Sequence, residues 1–161
     1  VKISEKTAQE IAYKVGSDVA LGMEKKNSIL LRNGKIIRLN NKLNFYVLIV
    51  MPKFGCSTKH IFLGVKKFSK SIYSNANKSY FSANNLVKSN NDLERVVFTK
   101  YPKTKKLKHF LLKLPKVIFV RMTGSGSAFV AYFKFKSSAK NAAKIFKNKY
   151  KGYWFTISKT I

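Results

Sequence analysis

The segment from Val117 to Ser158 constrains the fold more than any other part of the chain, because it reads as a series of consecutive elements. The run VIFVRM predicts a strand, TGSGS a loop and AFVAYFKF a second strand. A Ser-capped helix, SSAKNAAKIFKNKY, follows, and after Gly152 comes the strand YWFTIS. Two strands, a helix and a further strand favour an antiparallel sheet covered by helices.

An earlier apolar run, FYVLIVM, supplies another strand between Phe45 and Met51. It is continuously apolar, which predicts burial on both faces, and Pro52 and Gly55 end it. From Phe45 onward the strand and helix order is therefore βαββαβ. This order predicts an α+β protein of the ferredoxin-like kind, with helices on one face of the sheet.

The region between the first two of these strands predicts several helices. Ser57 and Asp92 are positioned as helix caps, and Pro102 is positioned as the first residue of a further helix. The Ser- and Asn-rich stretch from Ser69 to Asn91 predicts an exposed loop.

Residues 1–44 show a different pattern. In TAQEIAYKVG, Thr7 and Glu10 have capping-box spacing and Gly16 can end the helix in the left-handed conformation. SILLRNGKIIRL predicts a hairpin that turns at Asn33 and Gly34. The chain is therefore predicted to contain two domains, with residues 1–44 in the first and 45–161 in the second.

The formal charge of +27 raises the possibility of a nucleic-acid partner. The basic residues are almost all lysines, however, whereas readers of nucleic acid favour the planar arginine fork. The arginines are Arg32, Arg38, Arg95 and Arg121. This composition argues against specific recognition of nucleic acid.

A partial RNA-recognition motif keeps a basic RNA-binding module open as an alternative function. GSAFVAY follows the RNP1 pattern at Gly126, Ala128, Phe129, Val130 and Tyr132. Serines occupy the positions where the pattern has a basic residue and a base-stacking aromatic. Loss of RNA binding on Phe129→Ala would favour this alternative.

Three further observations limit the function classes. The single cysteine, Cys56, excludes an intramolecular disulfide and is typical of the reducing cytoplasm. No cluster with metal-ligand spacing surrounds His60 or His109, so no metal ligand is assigned. The apolar runs are far shorter than the ~20 residues of a membrane helix, so no membrane association is predicted.

Four segments together resemble a known enzyme family. GSDVALG, YVLIVMPKFGCSTKHIF, NNDLERVVFTKYP and VRMTGSGSAFVAYF occur in the order and spacing found in the later half of the 4-diphosphocytidyl-2-C-methyl-D-erythritol kinases, of the GHMP kinase superfamily. The resemblance extends over residues 11–161. It implies a ferredoxin-like GHMP C-terminal domain, preceded by a helix and hairpin from the N-terminal, ribosomal-S5-like ATP-binding domain.

The implied reaction is phosphorylation by ATP, with Mg²⁺, of the methylerythritol part of a CDP-linked substrate in the non-mevalonate route to isoprenoid precursors. The resemblance assigns the general base to Asp18 and cytosine stacking to Phe62. It places the glycine loop, Gly124, Ser125, Gly126 and Ser127, beside the nucleotide phosphates. The residues alone also permit a turn role for Asp18, core packing for Phe62 and a simple hairpin turn for the loop.

The chain departs from the family in two respects. The pattern Pro-x-x-x-Gly-Leu-Gly-Gly-Gly-Ser-Ser, which cradles phosphates in the superfamily, is absent from these residues. Ala20 and Leu21 replace the proline and aromatic residue that follow Asp-Val in the family. The expectation is that this polypeptide alone is inactive and that a separate N-terminal kinase fragment would complete it.

Overall fold

The described residues form two compact units. In this computed structural model they are residues 3–31, 33–40, 42–70 and 82–160. The first unit comprises the described residues up to Leu43 together with residues 82–85. The second comprises Asn44–Lys70 and Leu86–Thr160.

The first unit contains two helices and a hairpin. Helices α1 (Glu5–Val15) and α2 (Ser17–Gly22) precede strands β1 (Ser28–Leu30) and β2 (Ile36–Arg38), which pair antiparallel. Gly34 adopts φ +79° between the strands, and the predicted hairpin is confirmed. A small core is formed by Ala12, Ala20 and Ile36, with Leu21 and Leu30 packed against it.

The predicted N-terminal cap of α1 was wrong, whereas Gly16 does end the helix, although not in the left-handed conformation predicted for it. Ser4 caps the helix: its Oγ accepts a hydrogen bond of 3.1 Å from the Thr7 N–H. Ser4 provides, one turn earlier, the hydroxyl cap that was predicted for Thr7. The helix is therefore about one turn longer at its N-terminus than predicted. Gly16 has φ 160° and ψ 153°, which is extended backbone, because α2 begins at the next residue and the chain does not reverse there.

The second unit contains a four-stranded sheet. Its strands are β3 (Tyr46–Met51), β4 (Val117–Met122), β5 (Phe129–Phe133) and β6 (Trp154–Lys159). They lie in the order β4-β5-β3-β6, and every neighbouring pair is antiparallel. The first and third strands of this unit, β3 and β5, are thus central, as the ferredoxin-like fold requires. The predicted α+β class is confirmed.

Five more helices lie within the described residues, namely α3 (Thr58–Leu63), α4 (Ala83–Lys88), α5 (Leu93–Lys100), α6 (Pro102–Leu112) and α7 (Lys136–Lys149). Helices α6 and α7 pack on the sheet, and α5 packs on α6. Among the described residues, no helix is both long and apolar enough to cross a bilayer.

Some helix boundaries differ from the predictions. Pro102 begins α6, as predicted. Helix α4 lies in the stretch predicted as loop, so that prediction was wrong for 83–88, and residues 71–81 of the same stretch lie outside the described residues. Helix α7 begins at Lys136 after Phe135 and has no side-chain cap, so the predicted serine cap was wrong.

One continuous core lies between the sheet and its helices. Alternate residues of the central strands face the helices, and α7 contributes small residues that allow its backbone to approach the sheet. The residues without solvent exposure include Leu48, Val50, Phe129, Ala131, Phe133, Ala139, Ala142 and Phe146. This core holds the ends of β4 and β5, and therefore the glycine loop, in place.

Candidate active site

The glycine loop joins β4 to β5 as a tight turn. Thr123 N–H donates to the carbonyl of Ala128 (2.9 Å), and Gly126 N–H donates to the carbonyl of Thr123 (2.9 Å). Gly124 and Gly126 adopt φ of +46° and +85°, a region that favours glycine. The predicted turn between two strands is confirmed.

The two glycines of the loop differ in their surroundings. A Cβ atom at Gly126 would lie 3.1 Å from Met122 Sδ and 3.3 Å from Cys56 Sγ. A Cβ atom at Gly124 would have no atom within 4 Å. Gly126 therefore faces the protein interior, where burial raises the pKa of the Cys56 thiol, and Gly124 faces open space.

Asn91 fixes the glycine loop to the start of α5. Its Nδ2 donates to the carbonyls of Met122 (3.1 Å) and Gly124 (2.8 Å). Its Oδ1 accepts a hydrogen bond of 3.0 Å from the Leu93 N–H. One side chain therefore joins a strand end, the loop and the first turn of a helix.

Glu94 provides a second connection between α5 and β4. The side chain is almost fully buried, and its Oε1 accepts a hydrogen bond of 3.1 Å from the Met122 N–H. Its other oxygen pairs with Lys108 Nζ, which also lies 5.8 Å from the centre of the Phe98 ring. The carboxylate is thus satisfied by one backbone donor and one cation.

Hydroxyl groups hold the other side of the loop. Ser125 Oγ and Thr58 Oγ1 are 2.9 Å apart and share a hydrogen bond. The buried Ser127 donates its hydroxyl hydrogen to the carbonyl of Phe54. The Ser127 side chain therefore serves the structure of the loop in this conformation.

An open pocket of about 500 Å³ lies beside Gly124. Its aromatic lining consists of Phe62, Phe68, Phe119 and Tyr132, and its polar lining includes Asn90, Asn91, Asp92 and Arg121. Phe62 is 50% exposed, so core packing does not describe it. The structure thus brings Phe62 and Gly124 to one pocket.

Arg121 gives this pocket a positive charge. Its Nη2 donates to the carbonyl of Leu86 (2.8 Å), and its guanidinium carbon lies 5.7 Å from the Phe119 ring centre. The Phe119 and Tyr132 rings stack with centroids 4.1 Å apart. Burial raises the pKa of Tyr132, and Arg121 partly opposes that shift. A flat aromatic wall beside a guanidinium suits a ligand with a planar ring and an anionic group.

Asp92 also lines the pocket, but Ser69 binds its carboxylate. Ser69 donates its backbone N–H (2.8 Å) and its hydroxyl to this group. The N–H first, and then the hydroxyl, lower the pKa of Asp92. The predicted capping role was wrong, because Asn91 receives the N–H of Leu93 in its place.

Asp18 lies in the first turn of α2 and is exposed. Ala20, two residues later, is buried, and its N–H donates to the carbonyl of Gly16 at 3.2 Å. A proline at that position, as in the family, could not form this bond. Asp18 belongs to the first unit and the glycine loop to the second. The predicted role of Asp18 as a general base beside this loop therefore stays a prediction.

The aromatic residue on which the RNA-binding alternative depends is buried. Phe129 has no solvent exposure, and its ring stacks on Phe98 with centroids 6.4 Å apart. In this conformation the Phe129 ring is not available to stack on an RNA base, which counts against that alternative.

Among the described residues, no three His, Cys, Asp or Glu side chains form a cluster that could hold a metal ion.

The residues that matter most around the loop, Asn91, Glu94 and Arg121, were not predicted as site residues. The sequence did contain a signal for all three, because Asn91 and Glu94 lie in the segment NNDLERVVFTKYP of the resemblance and Arg121 lies in VRMTGSGSAFVAYF.

Comparisons with known proteins agree with this geometry. Residues 70–152 match the family model for the GHMP kinases C terminal domain. A 4-diphosphocytidyl-2-C-methyl-D-erythritol kinase from Pelagibacter ubique is 43% identical over the whole chain. One from Anaplasma phagocytophilum is 32% identical over 95% of it.

The chain spans 57% and 53% of the length of these two relatives. A crystal structure of 4-(cytidine 5'-diphospho)-2C-methyl-D-erythritol kinase superposes with a TM-score of 0.75 over 94% of this chain and 55% of that one, at 19% identity. That similarity shows a shared fold. With the sequence matches, it establishes that this chain belongs to the GHMP kinase family and contains its C-terminal domain.

Proposed function

We propose that this chain is the C-terminal part of a kinase that transfers the γ-phosphoryl group of ATP to a hydroxyl of 4-diphosphocytidyl-2-C-methyl-D-erythritol. The observation that carries the proposal is the pocket in which Phe62, Arg121 and Gly124 meet. The 43% identical relative is named for this activity. In this assignment residues 1–44 end the ATP-binding domain, and 45–161 form the C-terminal domain.

The pocket suits the cytidine diphosphate part of this substrate. The exposed ring of Phe62 offers a face on which cytosine can stack. Arg121 donates to Leu86 through one nitrogen, and its charge can offset that of the diphosphate. The pocket thus recognises a ring and an anion together.

The glycine loop suits the close approach of a phosphate group. Gly124 carries no side chain and has open space where a Cβ atom would lie, so a ligand can approach its backbone closely. ATP supplies the phosphoryl group when bound. Among the described residues no three His, Cys, Asp or Glu side chains form a cluster for a metal ion, and no residue is proposed here as a ligand of Mg²⁺.

Asp18 is the proposed general base. The substrate hydroxyl loses its proton to the Asp18 carboxylate as its oxygen bonds to the γ-phosphorus. The bond between that phosphorus and the bridging oxygen breaks, and ADP leaves with the electron pair. The exposed position of Asp18 in α2 leaves it accessible to a substrate.

Activity also requires a nucleotide phosphate loop, and we propose that an N-terminal kinase fragment supplies it. The first unit offers an apolar surface for such a partner, because large side chains of α1 and its neighbours are exposed. They are Ile3, Ile11, Tyr13, Val15, Val19 and Met23. An apolar surface of this kind is typical of a protein interface.

The experiment measures ADP release from ATP and 4-diphosphocytidyl-2-C-methyl-D-erythritol. The chain alone should show no turnover. Turnover should appear when it is supplied with the residues of the Pelagibacter ubique relative that lie outside the matched region. A mixture that binds but stays inactive with this substrate would overturn the proposal.

Two variants assign the roles within the active mixture. Phe62→Ala should raise KM for the cytidylated substrate about tenfold, since a stacking contact contributes roughly 1–3 kcal/mol. Leu63→Ala, on the same helix and 74% exposed, is the matched control and should leave KM unchanged. Asp18→Asn should lower kcat by about 10²–10⁴-fold. Equal KM values for the Phe62 and Leu63 variants would contradict the stacking role.

A further inference from the structure

We infer that Asn91 is a positioning residue that fixes the backbone of the glycine loop in the orientation needed for phosphoryl transfer. The inference rests on the proposed function for its catalytic consequence. Its structural basis is the set of three hydrogen bonds that one amide makes to Met122, Gly124 and Leu93.

The bonds require an asparagine. Both donors on Nδ2 reach backbone carbonyls, and Oδ1 accepts from a backbone N–H. Aspartate keeps the acceptor and loses both donors. Serine is shorter and has a single donor, and glutamine is longer by one methylene. Of these residue types, only asparagine offers both the two donors and the acceptor at this length.

The bond to Gly124 removes freedom that glycine otherwise has. Gly124 adopts φ +46°, and no atom lies within 4 Å of the position that a Cβ atom would take there. The carbonyl of Gly124 and the N–H of Ser125 belong to one planar trans peptide and point in opposite directions. When Asn91 holds the carbonyl, it also fixes the direction of the Ser125 N–H, a potential donor to an anion.

The end of β4 is held in the same way. Strand β4 is an edge strand, paired with β5 on one side only. On its open side, the N–H of Met122 donates to Glu94 and its carbonyl accepts from Asn91. The start of α5 therefore takes the place of a further strand exactly where the loop begins, and the loop starts from a fixed point.

The first arm of the test measures order in the chain alone. In the wild-type chain, backbone ¹⁵N relaxation should give order parameters of about 0.85 for Gly124 and Ser125. The Asn91→Asp variant should lower both order parameters to below about 0.6. The Leu93 amide should stay ordered, since its acceptor is retained. Asn141→Asp, on the exposed surface of α7 and outside the pocket, adds the same charge and should leave the order parameters of Gly124 and Ser125 unchanged.

The second arm measures kinetics in the active mixture. Asn91→Asp should lower kcat about 10²-fold, because a small misplacement of reacting groups has that effect, and should change KM less than threefold. Asn141→Asp, which lies outside the pocket, should stay within about twofold of the wild type. If Asn91→Asp does not fold, Asn91→Ser makes both measurements without adding a charge.

The outcomes separate the two proposals. A loop that stays ordered in the Asn91 variants would overturn the positioning role. A disordered loop with an unchanged kcat would overturn its catalytic consequence. A wild-type mixture without activity would overturn the proposed function, and the relaxation data would still decide whether Asn91 fixes the loop.

Discussion

The two compact units bury their apolar side chains to very different extents. In the second unit, buried residues from every strand but one and from α3, α5, α6 and α7 form one continuous core. In the first unit, three buried residues form the small core, while most of the apolar side chains of α1 point outward. The second unit has the core of an independent domain, whereas the first leaves an exposed apolar surface of the kind found at protein interfaces.

Their ion pairs differ in the exposure of the cation. Glu94 and Lys108 pair in the interior of the second unit, where the carboxylate also binds a backbone N–H. Glu24 and Arg38 of the first unit form a two-point pair that raises the pKa of the arginine. The Glu24 side chain is as little exposed as that of Glu94, but the Arg38 side chain is 48% exposed. A buried charge depends on its partner far more than an exposed one does.

The largest effect is expected from removing a core ring. Phe146 has no solvent exposure and contacts the rings of Phe110, Tyr150 and Phe155. Phe146→Ala should lower the free energy of unfolding by about 3–5 kcal/mol in urea titrations. Ile11→Ala, on exposed α1, should change it by less than about 0.5 kcal/mol. Similar losses for both variants would remove the contrast between the units.

The next largest effect should come from the buried ion pair. Glu94→Gln leaves Lys108 without its anion, and the loss of unfolding free energy should be about 3 kcal/mol. Glu24→Gln removes the corresponding charge from Arg38, whose side chain is half exposed and stays hydrated, so the urea midpoint should shift less than for Glu94→Gln. An equal or larger shift for Glu24→Gln would show that exposure of the cation does not determine how much each unit depends on its pair.

Two glycines with nearly the same φ angle allow a comparison between the units. Gly34 and Gly126 adopt φ of +79° and +85°, but only Gly126 has neighbours close to the position of a Cβ atom. Alanine should cost about 1–2 kcal/mol at either position because of the left-handed conformation. Gly126→Ala should cost about 1 kcal/mol more, since Met122 or Cys56 must shift. Amide exchange in each unit measures the two losses, and equal losses would show that the interior around Gly126 is loosely packed.

The smallest effect concerns the acid titration of Asp92. Its folded pKa is lowered, so its contribution to stability is present above the unfolded value of about 3.9 and is lost as pH falls through the lower folded value. Ser69→Ala should raise the pKa of Asp92 only partway, because the backbone N–H, which is the larger cause, remains. A carboxyl ¹³C titration measures this. A full return to the unfolded value would show that the hydroxyl dominates.

The sequence predicted the sheet better than the connections around it. Strands β3, β4 and β5 come from strongly apolar runs, and their local pattern indicates both their limits and their burial, whereas β6 (Trp154–Lys159) is less apolar and contains no buried residue. Helix starts were harder to predict, because several capping residues lie near each start. Ser4 and Thr7 compete at α1, and Asn91 and Asp92 compete at α5.

The parts of the candidate site that depend on long-range contacts could not be predicted from periodicity. Ser127 binds the carbonyl of Phe54, 73 residues earlier, and Asn91 binds carbonyls 31 and 33 residues later. Nothing local to those residues indicates these partners. The family resemblance did assign site roles to Phe62 and the glycine loop; the structure brings Phe62 and Gly124 to one pocket, and their roles stay predictions.

The sheet order also has a consequence for how this polypeptide is made. Tyr46, on a central strand, pairs with Phe133 on one side and Lys159 on the other. Strand β3 therefore leaves the ribosome long before either partner is synthesised, and its apolar run stays uncovered in the nascent chain. Contacts so distant along the chain slow folding and favour aggregation. Co-expressed chaperones should therefore raise the soluble yield of this polypeptide.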